Sequence, residues 1–271
     1  MKTYISFIFI FLLSSSLFAQ KDSKYTNYYY DFAFGEQFGV KLLAKNVVSK
    51  TDHAKLALEI NNETDDYILF YKDKCKFVIS ENSYYPETVK KGKILEPKKS
   101  SSYTVTVKGQ TNYLVDNFNF KPGGIFTFSS QGKIIETEEF HLPANRNQIN
   151  SELFTIKMLK LKKETDETAV KFECTYLGNK IAIVSPSNCV IRTENGKEWA
   201  NARSDMKPFI LQKNESEKFT IIFTIPGRIT DMQFAEMDID WKNTFSESEL
   251  KELFFDIQTT EIDKTTTSEK N

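Results

Sequence analysis

The chain matches itself. Sliding it by 114 residues lays Thr51-Asp52 on Thr165-Asp166, Glu59 on Glu173 and Cys75 on Cys189. The apolar positions fall in the same phase: Val40, Leu42, Ala44 and Val47 land on Phe154, Ile156, Met158 and Leu161, and Leu56, Leu58 and Ile60 on Val170, Phe172 and Cys174. Further along the shift becomes 116, so Leu95 meets Leu211, Ser100 meets Ser216, and Tyr103-Thr104-Val105 meets Phe219-Thr220-Ile221. A two-residue insertion in the second stretch accounts for the change. Ordered matches that keep one apolar phase read as two copies of a module, and two copies suggest paired domains rather than a solenoid.

Within each copy the dominant period is two. Leu56-x-Leu58-x-Ile60, Val170-x-Phe172-x-Cys174, Tyr103-x-Val105-x-Val107 and Phe118-x-Phe120 all alternate, the pattern of strands with one face buried and one wet. Turn signals fall between them at Asn61-Asn62, Pro122-Gly123-Gly124, Gly178-Asn179, Asn195-Gly196 and Pro226-Gly227. Many short strands at this spacing predict an all-β chain of two tandem sandwiches. One helix is predicted near the C-terminus: Ser246-Glu247-Ser248-Glu249 has capping-box spacing ahead of Leu250 and Leu253. The expected divisions are an aromatic N-terminal segment over 20–35, a first domain over 36–143, a linker over 144–150, a second domain over 151–258 and a flexible polar tail over 259–271.

Residues 188–199 read Asn-Cys-Val-Ile-Arg-Thr-Glu-Asn-Gly-Lys-Glu-Trp. This stretch resembles the telokin-like, immunoglobulin-like domains of secreted bacterial proteins, with Asn195-Gly196 as the turn and Trp199 as the aromatic that follows it. In the first copy Glu59-Ile60-Asn61-Asn62-Glu63-Thr64-Asp65 is similar to the family's strand ending in an Asn-rich turn, although the Asn-Gly turn after Cys75 is missing. The resemblance implies immunoglobulin-like sandwiches and almost no chemistry, since that fold hosts many functions.

The N-terminus reads as an address. Lys2, the apolar run over 4–13 and the small-residue stretch ending at Ala19 form the pattern of a secretory signal peptide over 1–19. That apolar run is shorter than the roughly 20 residues a spanning helix needs. The expected location is periplasmic or extracellular, with membrane contact only through an uncleaved signal anchor.

Composition narrows the function. Lys+Arg is 36 against 37 Asp+Glu, which argues against a broad basic surface for nucleic acid. Two His leave little for metal or acid–base chemistry, and ten Gly leave little for phosphate-cradling loops. His53 and His141 sit in no metal-ligand spacing, and no GxSxG elbow or Walker-type loop occurs. Asp238 and Asp240 share a strand face and offer two oxygen ligands, too few for Ca²⁺ without other acids and carbonyls. Only four basic residues are Arg, so the 23 Phe and 12 Tyr reflect codon supply as well as structure.

Two features remain as candidate sites. Tyr28, Tyr30, Phe32 and Phe34 share one parity, which suits a strand with an aromatic inner face. The alternative is an exposed platform of Tyr25, Tyr28, Tyr29 and Tyr30 that stacks on a glycan or grips a protein. Cys75 and Cys189 are equivalent and should face their cores, as should Cys174. A Cys174–Cys189 bond across one sandwich is the alternative to three free thiols in an oxidising compartment. The expected function is non-catalytic binding or assembly at the cell envelope through sandwich edges and loops, with a protein as the partner, no nucleic acid and no cofactor. Glycan binding through exposed Tyr and an unrecognised hydrolase are the rivals.

Overall fold

The structure, a computed structural model, describes residues 25–109 and 111–271. The signal-type segment over 1–19 lies outside the described residues. Its regular secondary structure is nearly all antiparallel β-sheet, with one short α-helix, Lys264–Lys270, near the C-terminus. No helix among the described residues is long and apolar enough to cross a membrane.

The strands form two bodies. In the first, the long strands Val40–Ser49, His53–Asn62 and Ser100–Lys108 pair side by side, with Asn27–Tyr28 and Phe32–Gln37 on the outer side of Val40–Ser49. Facing them are two short-stranded sheets that continue each other. Tyr67–Phe70 runs through the 3-10 turn Lys72–Lys74 into Lys76–Ile79, and Asn119–Lys121 leads into Ile125–Phe128 beside it. In the second body Phe154–Lys163, Glu167–Tyr176 and Ser216–Thr224 form the long sheet. Ile181–Val184 runs through the 3-10 turn Pro186–Asn188 into Val190–Thr193, with Met237–Asp240 and Phe245–Ser248 beside it.

The alternating apolar positions fill the space between the facing sheets. Leu56, Leu58, Ile60, Val105, Val107, Phe118 and Phe120 are buried in the first core; Val170, Phe172 and Cys174 are buried in the second. Cys75 and Cys189 each follow a 3-10 turn with nearly the same backbone (φ −68° in both, ψ 148° and 150°) and turn inward.

The two bodies do not divide where the sequence suggested. Strands Lys133–Ile134 and Phe140–Leu142, read as the end of the first domain, pair with Phe245–Ser248 and Met237–Asp240 of the second body. Gln148–Asn150, read as linker, pairs with Phe154–Lys163. Beyond the second body the chain returns: Lys251–Leu253 pairs with Ile125–Phe128, and Gln258–Thr259 pairs with Asn119–Lys121. Each body therefore carries, as an edge strand, the segment that follows the other body's last strand. The second body is one continuous stretch of chain, whereas the first is closed by the C-terminus.

Ser246–Glu249 is not a helix start. Phe245–Ser248 is a strand between Ile181–Val184 and Lys133–Ile134. It is covered on both faces, because Phe245 joins the second core and Ser246 and Ser248 on the opposite face are buried; just beyond, Leu250 packs in a layer between the bodies. That layer holds Leu69, Phe128, Ile181 and Ile183, and Tyr67 stacks on Phe128 with ring centroids 5.3 Å apart. Tertiary burial overrode the local capping pattern.

The tail, expected to be flexible, folds against the chain's beginning. Asp263 caps the helix by accepting from Thr266 N. Thr267 Oγ1 accepts from Tyr28 N, and Asn271 bonds Thr26 through both its side-chain oxygen and nitrogen.

Candidate functional site

The four tyrosines do not form one platform. Tyr29 is buried edge-on against Phe118, its hydroxyl bonded to Ser49 and to Val115 O. Tyr28 is half-buried beneath Lys270, whose ammonium lies 4.8 Å from the ring centre. Only Tyr25 and Tyr30 are exposed. The expected parity fails because Tyr30 and Asp31 interrupt the strand; Tyr29 faces the core on one side of the break and Phe34 on the other.

All three cysteines are free and buried, so the Cys174–Cys189 bond is not formed. Burial disfavours the thiolate and raises the Cys75 and Cys189 thiols to about 12, and it pushes Cys174 up as well. None is poised as a nucleophile. A thiol reagent at pH 8 should find no reactive cysteine in the folded protein and all three after denaturation without reductant. A count of one in the denatured sample would establish a disulfide instead.

Each histidine is held by a carboxylate. His53 Nδ1 lies 2.7 Å from Asp52 Oδ1, and His141 Nδ1 lies 2.9 Å from Asp238 Oδ1. The second pair belongs to an ionic row across neighbouring strands, where Arg192, opposite Asp238, pairs with Glu139, and Lys242 pairs with Glu198. Among the described residues no Ser, Thr or Cys side chain hydrogen-bonds either histidine, and no group of three or more His, Cys, Asp or Glu is arranged to hold a metal. Asp238 and Asp240 are engaged with His141 and with Lys242 N.

A cleft of about 450 Å³ lies where the bodies meet, lined by Tyr67, Ile94, Pro97, Pro208 and Ile210. Its charges cancel across the junction: Lys91 pairs with Glu215 at 3.0 Å and Lys207 with Glu96 at 3.5 Å. Tyr71 donates to Gln212, whose amide reaches Gly92 O at 3.4 Å. These groups bolt one body to the other.

A row of unpartnered backbone lies at one edge of the first body's long sheet. Ser100–Lys108 pairs with His53–Asn62 on one side only. Asn62 N donates to Lys99 O and Gly109 N to Asp52 O, so odd-numbered residues bond inward along this ladder. Antiparallel alternation then aims the N–H and C=O groups of Ser102, Thr104, Thr106 and Lys108 outward. Among the described residues none of these outward groups has a partner.

The matching edge of the second body is closed. Ala202 N donates to Ile222 O at 2.7 Å, Ile222 N donates to Asn201 Oδ1 at 3.1 Å, and the Arg203 guanidinium reaches Thr220 O at 3.4 Å. At the shift of 116, Ile222 corresponds to Thr106 and Asn201-Ala202 to Tyr85-Pro86. Pro86 has no N–H to donate, and Tyr85 has no carbonyl oxygen in its side chain to accept. A cavity of about 290 Å³ stands there instead, lined by Lys72, Tyr85, Pro86, Glu87, Thr106 and Lys108. Sequence reasoning missed this site, although the Pro86 signal was legible once the copies were aligned.

No family model matches the chain, and no curated protein matches it. Solved structures give distant likenesses. The yjhA protein from Bacillus subtilis is 8% identical at TM-score 0.26, over 29% of this chain and 70% of that one. The secreted serine protease VesC from Vibrio cholerae is 10% identical at TM-score 0.22, over 81% of this chain and 52% of the protease. A mutant of Bacillus subtilis oxalate decarboxylase OxdC is 7% identical at TM-score 0.19, over 84% and 80%. At these scores fold family and activity have to be argued from the chain itself.

Proposed function

We propose that this chain is a non-catalytic binding or assembly protein of the cell envelope, exported by its N-terminal address, which takes an extended segment of a partner protein at a sheet edge. The observation that carries this reading is the row of unpartnered backbone groups from Ser102 to Lys108, in a chain that closes the equivalent edge. Exposed edges accept strands because the incoming backbone completes the ladder. Natural proteins block such edges, so one left open beside a closed counterpart calls for an occupant.

Both bodies are read as immunoglobulin-like copies of one module. In support, a sheet built on three long strands faces short-stranded sheets in which the exchanged strand lies beside the last strand, which lies beside the third. A non-catalytic role is supported by buried thiols with raised pKa and by histidines that, among the described residues, have no Ser, Thr or Cys side chain hydrogen-bonded to them. No cofactor belongs to this reading.

Amide hydrogen exchange tests it. With the peptide acetyl-Thr-Val-Gln-Val-Thr-amide in excess, Ser102 and Thr104 are expected to gain protection while the edge Ser216–Thr224 does not change. Thr104→Pro removes one outward N–H at a position an edge strand tolerates, and should abolish that gain. Unchanged exchange at Ser102 and Thr104 in the unmodified protein would overturn the reading.

A further inference from the structure

The cavity at the end of this edge has a chemistry of its own, and we infer that it receives the carboxylate of an acidic side chain, Asp or Glu, carried by the extended partner segment. This inference rests on the edge-binding reading above and names what that partner must bring.

The second body shows what the outward N–H takes. At Ile222 it donates to Asn201 Oδ1, a planar carbonyl oxygen supplied by the chain itself. At Thr106 no such oxygen is supplied. A carboxylate would restore the missing acceptor, and its charge fits the walls. Lys72 and Lys108 line the cavity, and among the described residues neither has an ion pair. In the cleft between the bodies, by contrast, both lysines are neutralised. Tyr85 and Thr106 also line the cavity, and among the described residues neither hydroxyl is hydrogen-bonded. Glu87 is the one carboxylate in the wall, so the cavity keeps a net positive charge and prefers an anion to a neutral amide.

The occupant is a strand rather than a free acid because the cavity is lined by Thr106 and Lys108, which continue the unpaired edge that begins at Ser102 and Thr104. A segment laid along those residues holds its acidic residue at the cavity's mouth, and the backbone ladder supplies the affinity that one exposed charge lacks.

Two labelled peptides separate the possibilities, acetyl-Thr-Val-Glu-Val-Thr-amide and its Gln counterpart. The Glu peptide is expected to bind about fivefold tighter at low salt, since exposed ion pairs contribute up to about 1 kcal/mol each. That preference should vanish at roughly 1 M NaCl, where the screening length is about 3 Å. It should vanish too in Lys72→Glu/Lys108→Glu, whose fold is checked by its unfolding temperature. Tyr85→Asn/Pro86→Ala rebuilds the second body's closure and should also remove the preference. Equal binding of the Glu and Gln peptides overturns the carboxylate inference while leaving the edge reading intact. Binding of neither peptide overturns both. Competition by N-acetylglutamate amide as strong as that by the Glu peptide overturns the strand as occupant.

Discussion

A chain ending at Glu249 is expected to lose its first body and keep its second. The missing residues supply the edge strands Lys251–Leu253 and Gln258–Thr259, which pair with Ile125–Phe128 and Asn119–Lys121. They also supply Leu253 and Phe255, both buried in the first core, at about 1.5–3 kcal/mol each for burial alone. Thr260 exchanges hydrogen bonds with the Phe118 backbone, at 2.9 Å and 2.8 Å, and the terminal helix holds Thr26 and Tyr28. Losing these together, and uncovering Phe118 and Phe120, approaches the whole stability of an ordinary domain, about 5–15 kcal/mol. The second body keeps its full complement of strands, because its exchanged edge, Lys133–Ile134 and Phe140–Leu142, precedes the cut. Hydrogen exchange by fragment should show protection lost over 40–128 and retained over 140–240. A synthetic peptide covering 250–271 should restore the lost protection when added in trans. Full protection of both bodies in the truncated chain would mean that the C-terminal strap is dispensable.

The exchange of edge strands is the part of the fold that the sequence could not announce. Period-two alternation locates strands such as His53–Asn62 and Glu167–Tyr176 because burial of one face repeats every second residue. It carries no information on which remote strand lies alongside. Lys133–Ile134 is two residues long and exposed, so it leaves no pattern at all. The equivalence of Cys75 and Cys189 was legible, and with it their inward direction. Their distance from Cys174 was not, since sheet separation is a property of the assembled sandwich. The Ser246–Glu249 signal misled for a related reason: a capping box describes four residues in water, and here Ser246 and Ser248 are buried in a strand that begins in the second core at Phe245. At the open edge the sequence does carry a signal. Pro86 opposite Ala202 already says that one copy can donate a hydrogen bond and the other cannot.

Phe172→Ala should destabilise the second body by about 3–5 kcal/mol. The ring is fully buried and lies 5.1 Å from Phe140, 5.1 Å from Trp241 and 5.8 Å from Phe219, so its removal leaves a cavity and three broken aromatic contacts. Phe172→Leu, which installs the residue found at Leu58 in the first copy, should cost about 1–2 kcal/mol, because most of the volume is kept and only the ring contacts go. Urea titration followed by the fluorescence of buried Trp241 measures both. The topology adds a second consequence, in the other body. The first body's closing strand is delivered by the folded second body, whose last strand ends at Ser248, just before Lys251. If the second body unfolds, the same closure must span a loop of about 120 residues, at about 4 kcal/mol of chain entropy, and the shared layer of Leu69, Phe128, Ile181 and Ile183 is lost as well. Phe172→Ala should therefore lower hydrogen-exchange protection in Asn119–Lys121 of the first body, far from the substitution. Leu58→Ala, in the first core, should leave 140–240 nearly untouched, because the second body is continuous and needs nothing from the first except that layer. Equal spread in both directions would place the coupling in the layer alone, and no spread from Phe172→Ala would mean that the strap holds without its anchor.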